Sequence, residues 1–95
     1  MSKYQQKVIR EYERNGYGVM KLSKTNKNGI ADLLVSKPNE TPVLIEVKEK
    51  NDTLKKLQIA QNLIMSEKMG FNFVVLQDGK GEIDYDVESF RTDLF

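Results

Sequence analysis

The 95-residue chain contains neither cysteine nor histidine. Without cysteine there are no disulfides and no thiolate zinc sites. Without histidine the commonest general base and the commonest transition-metal ligand are gone. Any chemistry falls to carboxylates, lysine, tyrosine, amides and hydroxyls. Long apolar runs are missing too: no stretch approaches the roughly 20 residues needed to cross a bilayer. The opening M-S-K-Y-Q-Q-K holds no apolar segment resembling a secretory signal. The expectation is an intracellular, cytoplasmic protein with no membrane partner and no small-molecule cofactor.

What is present suits a folded chain. Apolar residues make up 39% and charged residues 31%, a globular rather than a disordered balance. The length suits one domain over residues 1–95. Net charge is only +1, but it is unevenly spread. Residues 1–29 carry seven Lys or Arg against two Glu, hence +5, and residues 78–95 carry six acids against two bases, hence −4. A near-neutral total of this kind can hide a basic face.

Periodicity predicts the order α-β-β-β-α-β plus a tail. Tyr4, Val8 and Tyr12, widened by Ile9, mark an amphipathic helix over 3–15, with Ser2 as cap and Asn15-Gly16 as stop. Tyr4 and Tyr12 read as core residues. Strands are expected at 17–24, 30–36 and 42–48, the last two joined by the turn-forming K-P-N-E-T. A second helix is expected over 53–69, capped by Asp52 or Thr53, with Leu54, Leu57, Ala60 and Ile64 on its inner face. Gln61 falls inside that face by angle and Gln58 on its edge. Strands at 71–77 and 82–86 and a helical turn or two over 87–95 complete the reading. The fold class is therefore α/β (α+β), a mixed central sheet flanked by helices, with a right-handed crossover bringing the last long strand parallel to an earlier one.

The stretch 29–48, G-I-A-D-L-L-V-S-K-P-N-E-T-P-V-L-I-E-V-K, organises the rest. Its two apolar runs each contain a carboxylate, Asp32 and Glu46, and Lys48 shares a strand face with Glu46. Two acids and a lysine on a sheet carry a large desolvation cost unless they are paired or bind an ion. Oxygen ligands select Mg²⁺ or Mn²⁺. Asp32, Glu46 and the backbone carbonyl of Val47 are the candidate ligands, with Lys48 beside the attacking water or the phosphate. Lys21, Lys24 and Lys27 flank Asp32 in sequence and are candidate phosphate contacts, with salt-sensitive affinity. The plainer alternative is a solvent-facing E-x-K alternation with ordinary surface lysines.

With these features in this order, the chain resembles the PD-(D/E)xK nuclease superfamily. Gly29-Ile30-Ala31-Asp32 looks like its G-x-P-D segment with alanine for proline, and Glu46-Val47-Lys48 matches its E-x-K element. Among its branches the VRR-NUC domains and the archaeal-type Holliday junction resolvases are most similar. The resemblance implies a restriction-endonuclease-like αβββαβ core over about residues 4–77. It also implies a metal-dependent deoxyribonuclease whose substrate is DNA, with branched forms such as flaps or four-way junctions as candidates. Leu54-Lys55-Lys56-Leu57-Gln58 partly matches an L-S-x-x-Q stretch, which makes Gln58 a site residue. The glutamate that the first helix of these families offers the metal falls on Gln5, a weaker neutral ligand. Paired cuts would need a homodimer, with Phe90, Leu94 and Phe95 available for an interface. The alternative is a nuclease-fold module that binds nucleic acid without turnover; a third reading is a structural or regulatory partner in which Glu46 and Lys48 only pair.

Overall fold

A computed structural model of the chain describes residues 2–23, 26 and 29–84. Its elements run α1 (Lys3–Arg14), β1 (Gly18–Lys21), β2 (Leu33–Ser36), β3 (Val43–Lys48), α2 (Lys56–Met69), β4 (Asn72–Gln77) and β5 (Gly81–Glu82). The strands form one mixed sheet in the order β1-β2-β3-β4-β5. The β1–β2, β2–β3 and β4–β5 pairs are antiparallel, and β3–β4 is parallel. The parallel pair follows from the route: the chain leaves β3, crosses through α2 and returns along β4.

The β2–β3 turn is set by Lys37-Pro38-Asn39-Glu40. Pro38 presets one turn position, Asn39 takes a positive φ of 69°, and the Glu40 N–H reaches the Lys37 carbonyl at 3.2 Å. This fixes the register, pairing Leu33 with Ile45 and Val35 with Val43. Alternation along β3 then sorts side chains between two layers. Ile45, with Leu33 and Val35, packs under α1 around Val8, joined by Tyr4, Tyr12 and Val47. Leu44, with Phe73 and Val75, packs under α2 around Ile59 and Leu63. Glu46 and Lys48 share the Leu44 face, the α2 side. The two tyrosines are partly buried and pack against this core, on the face their periodicity predicts.

The first helix starts where expected: the Ser2 Oγ accepts the Gln5 N–H at 3.0 Å. The second differs. It begins at Lys56 rather than 53, and its cap position, Lys55, makes no side-chain capping hydrogen bond. Asp52 is occupied elsewhere, accepting the Glu49 N–H at 3.0 Å. The buried Gln77 amide donates to the carbonyls of Glu49, Lys50 and Asp52 at 3.0, 3.3 and 2.9 Å, which holds 49–52 as an irregular turn. The inner face differs as well. Leu57 is 66% exposed and Gln61 is exposed, while Ile59, Ala60, Asn62 and Ser66 are buried. Gly70 ends α2 in the left-handed conformation.

The strands are shorter than expected, and β2 begins one residue after Asp32. The edge strand is confined to Gly81–Glu82 within 81–84. The expected elements at 85–95, with Phe90, Leu94 and Phe95, lie outside the described residues, as do Lys24 and Lys27. Among the described residues, no helix is long and apolar enough to cross a membrane.

Candidate metal and phosphodiester site

The last backbone pair of β2 and β3 is Leu33 with Ile45. Beyond it a side chain takes over: the Asp32 Oδ2 accepts the Val47 N–H at 2.8 Å. That bond fixes the carboxylate of Asp32 beside β3, one position beyond the ladder and opposite Glu46 by extension of the register. In an extended strand a residue's N–H and C=O leave on the same edge. The Val47 carbonyl is therefore on the Asp32 side.

Glu46 is 4% exposed. Its Oε2 accepts the Gln58 Nε2 at 3.3 Å, and its Oε1 lies 3.7 Å from the Lys48 Nζ. The same Gln58 closes the triangle, its Oε1 accepting from Lys48 Nζ at 3.2 Å. One amide thus donates to the acid and accepts from the base, which sets the relative positions of both. The geometry brings Asp32, Glu46, Lys48 and Gln58 together. Gln5 is not joined to them by a hydrogen bond among the described residues; it sits half-buried on α1, on the opposite layer, where its N–H is taken by Ser2. Lys21 is exposed at the end of β1, and the neighbouring Leu22 N–H reaches the Asp32 carbonyl at 2.8 Å.

Electrostatics mark Glu46 within this group. Burial, and then the neighbouring Asp32 charge and hydrogen bond, push its carboxyl up to about 8 against the opposing pull of Lys48. One lysine does not offset two close carboxylates in a desolvated pocket.

The donor set fits a hard divalent cation. Two carboxylates and a carbonyl lie on one side of β3, and a cation between the acids would offset both the burial and the Asp32 repulsion that raise the Glu46 pKa. No group of three or more Asp, Glu, His or Cys side chains converges among the described residues.

Asn62 was not singled out by the sequence, because an asparagine on a helix reads as solvent-facing. It is fully buried. Its Oδ1 accepts the Ala31 N–H at 2.7 Å, and its Nδ2 donates to the carbonyls of Gly29 and Gln58 at 3.0 and 2.9 Å. It ties the loop that delivers Asp32 to the helix that delivers Gln58. The loop lies close: a Cβ on Gly29, whose φ is +75°, would meet the Gln61 Oε1 at 2.6 Å. The available signal was position, since Asn62 lies one helical turn after Gln58.

No protein-family model and no curated protein matches the sequence. Solved structures do. Hjc, a Holliday junction resolvase from the archaeal hyperthermophile Archaeoglobus fulgidus, superposes with a TM-score of 0.67 over 99% of this chain and 100% of that one, at 14% identity. The chain shares the fold of that structure. Asp32, Glu46 and Lys48, on which the sequence resemblance rests, adjoin one another here.

Proposed function

We propose that residues 1–95 form one VRR-NUC-like nuclease domain, a metal-dependent DNA endonuclease that hydrolyses phosphodiester bonds and selects branched DNA. The observation that carries this reading is the Glu46 carboxylate, buried against Asp32 and linked through Gln58 to Lys48, in the fold of a junction resolvase. Asp32, Glu46 and the Val47 carbonyl hold Mg²⁺ or Mn²⁺. When bound, the ion supplies Lewis acidity toward the phosphate and eases deprotonation of a nearby water. Asp32 and Glu46 act as ligands once Glu46 has lost its proton. Lys48 orients the attacking water and offsets charge growing on the phosphate. Gln58 holds Lys48 in that position. Gln5 contributes at most a neutral oxygen from α1, and Lys21, with Lys24 and Lys27, contacts phosphates. Symmetric paired cuts require a two-fold dimer, since one chain has one site. The protein acts inside the cell, where its DNA substrate is.

The reading is tested by incubating labelled linear, flapped and four-way DNA with Mg²⁺, Mn²⁺ or chelator. Cleavage of the branched DNAs is expected with either ion and none with chelator. Glu46→Gln should remove it; undiminished cutting by that variant would overturn the assignment. A specific observation favours a second reading. Gln5 supplies an amide where the resemblance expects a glutamate, which fits a module that binds DNA without cutting it. That module would hold DNA equally well with and without Mg²⁺ and cleave nothing in the panel.

A further inference from the structure

The charge excess of the N-terminal third is not scattered over α1. Lys3, Lys7, Arg10 and Arg14 recur at intervals of four, three and four residues. At 3.6 residues per turn they fall within an arc of about 60°, in a line about 16 Å long. All four are exposed. The arc is centred about 130° around the helix from the face that packs on the sheet through Tyr4, Val8 and Tyr12. Two acids flank it: Glu11 pairs with Arg14 at 3.3 Å, both largely exposed, and Glu13 lies on the other side. Arg10 donates to the neutral Gln6 at 3.3 Å.

The direction of this stripe matters. Its N-terminal end is at the candidate site's end of the sheet. Tyr4 and Lys7 line a cavity with Asp78, and the Asp78 N–H bonds the Lys48 carbonyl at 2.9 Å. The C-terminal end is at the far end, where Lys37 of the β2–β3 turn reaches the Asn15 carbonyl at 3.4 Å. The stripe therefore leads away from the site, along the layer opposite Glu46 and Lys48. A straight duplex laid across the site meets only the start of this row. A second arm leaving the same branch point can follow the whole of it.

We propose that the outer face of α1 binds the phosphate backbone of a second DNA arm, so that the domain recognises branched substrates by holding two arms on two layers. The inference rests on the nuclease reading for its choice of polyanion. Lysine and arginine in a line match a regular row of phosphates by charge, and such contacts release counterions. They read no bases, so the preference they confer is for shape.

The test is fluorescence anisotropy in chelator, which removes cleavage from the measurement, with a labelled four-way junction and a linear duplex of equal length. The stripe is neutralised together (Lys3→Gln, Lys7→Gln, Arg10→Gln, Arg14→Gln), with circular dichroism to show that α1 is retained. A milder variant, Arg10→Glu with Lys7→Gln, serves if the fourfold change does not fold. The junction should bind at least about tenfold more weakly to the fourfold variant at moderate salt, and its log-log salt slope should fall by about 3.6, roughly 0.9 for each of the four contacts. The linear duplex should change by less than about twofold. Equal losses on both DNAs, or no loss on either, would overturn the inference, as would stripe-dependent binding to anionic phospholipid vesicles in place of DNA. The nuclease reading fails separately, when wild-type protein neither takes up Mn²⁺ nor cuts any DNA in the panel.

Discussion

At the scale of single residues the account turns on Glu46. Its carboxyl titrates near 8 in the fold against 4.5 when unperturbed. The native state therefore binds a proton that the unfolded chain has already lost between those values. The stabilisation is fully present below about pH 4.5 and is lost as pH rises through about 8. Urea denaturation of metal-free protein from pH 5 to 8.5 should show stability falling across this window. Glu46→Gln, which keeps the shape without the charge, should flatten this fall. Metal uptake has the opposite sign: the ligand must be deprotonated, so Mn²⁺ affinity should rise with pH through the same window. Lys48→Ala leaves Glu46 buried without its cation and should raise the Glu46 pKa further, visible as a shift of the stability profile to higher pH.

At the scale of elements, the site depends on a loop and a helix being held in register. Asn62→Ala would leave the Ala31 N–H without its partner and take the side-chain donor from the Gly29 carbonyl, at roughly 1–3 kcal/mol for each group left unsatisfied, while the Gln58 carbonyl keeps its helical backbone bond. Chemical denaturation should show a loss of that order, and Mn²⁺ affinity should fall even where the variant is fully folded. Gly29→Ala forces a Cβ onto a left-handed residue facing Gln61 and should destabilise by about 1–2 kcal/mol. The elements also show what the sequence made legible. The E-x-K alternation and the K-P-N-E turn placed Asp32 beside Glu46, because strand period and turn chemistry are local. The start and inner face of α2 were not legible, because distant groups decide them. Gln77 captures the carbonyls of the preceding turn, and Asn62 is buried to serve a loop 31 residues away in sequence. Periodicity counts such an asparagine as polar and turns the helix the wrong way, which is why Leu57 was expected inside.

At the scale of the whole molecule, a charge of +1 conceals a basic N-terminal third. If α1 and the lysines that precede Asp32 in sequence both meet DNA, junction affinity should fall steeply with salt, far more than net charge suggests. Light scattering with and without junction DNA will show whether two copies assemble on it; a monomer in both conditions would leave a flap or nicking enzyme in place of a paired cutter. The overall architecture was readable because each layer has its own period. Alternation along β3 sends Ile45 to α1 and Leu44 to α2, and the parallel β3–β4 pair follows from one helical crossover.

The most direct test of the central claim is calorimetric titration of Mn²⁺ into wild-type protein, Asp32→Asn and Glu46→Gln at pH 8, with folding checked for each. Saturable uptake by the wild type, lost in both folded variants, is the predicted result. Unchanged uptake by either variant, or none by the wild type, would contradict the claim that these two carboxylates form a divalent-cation site.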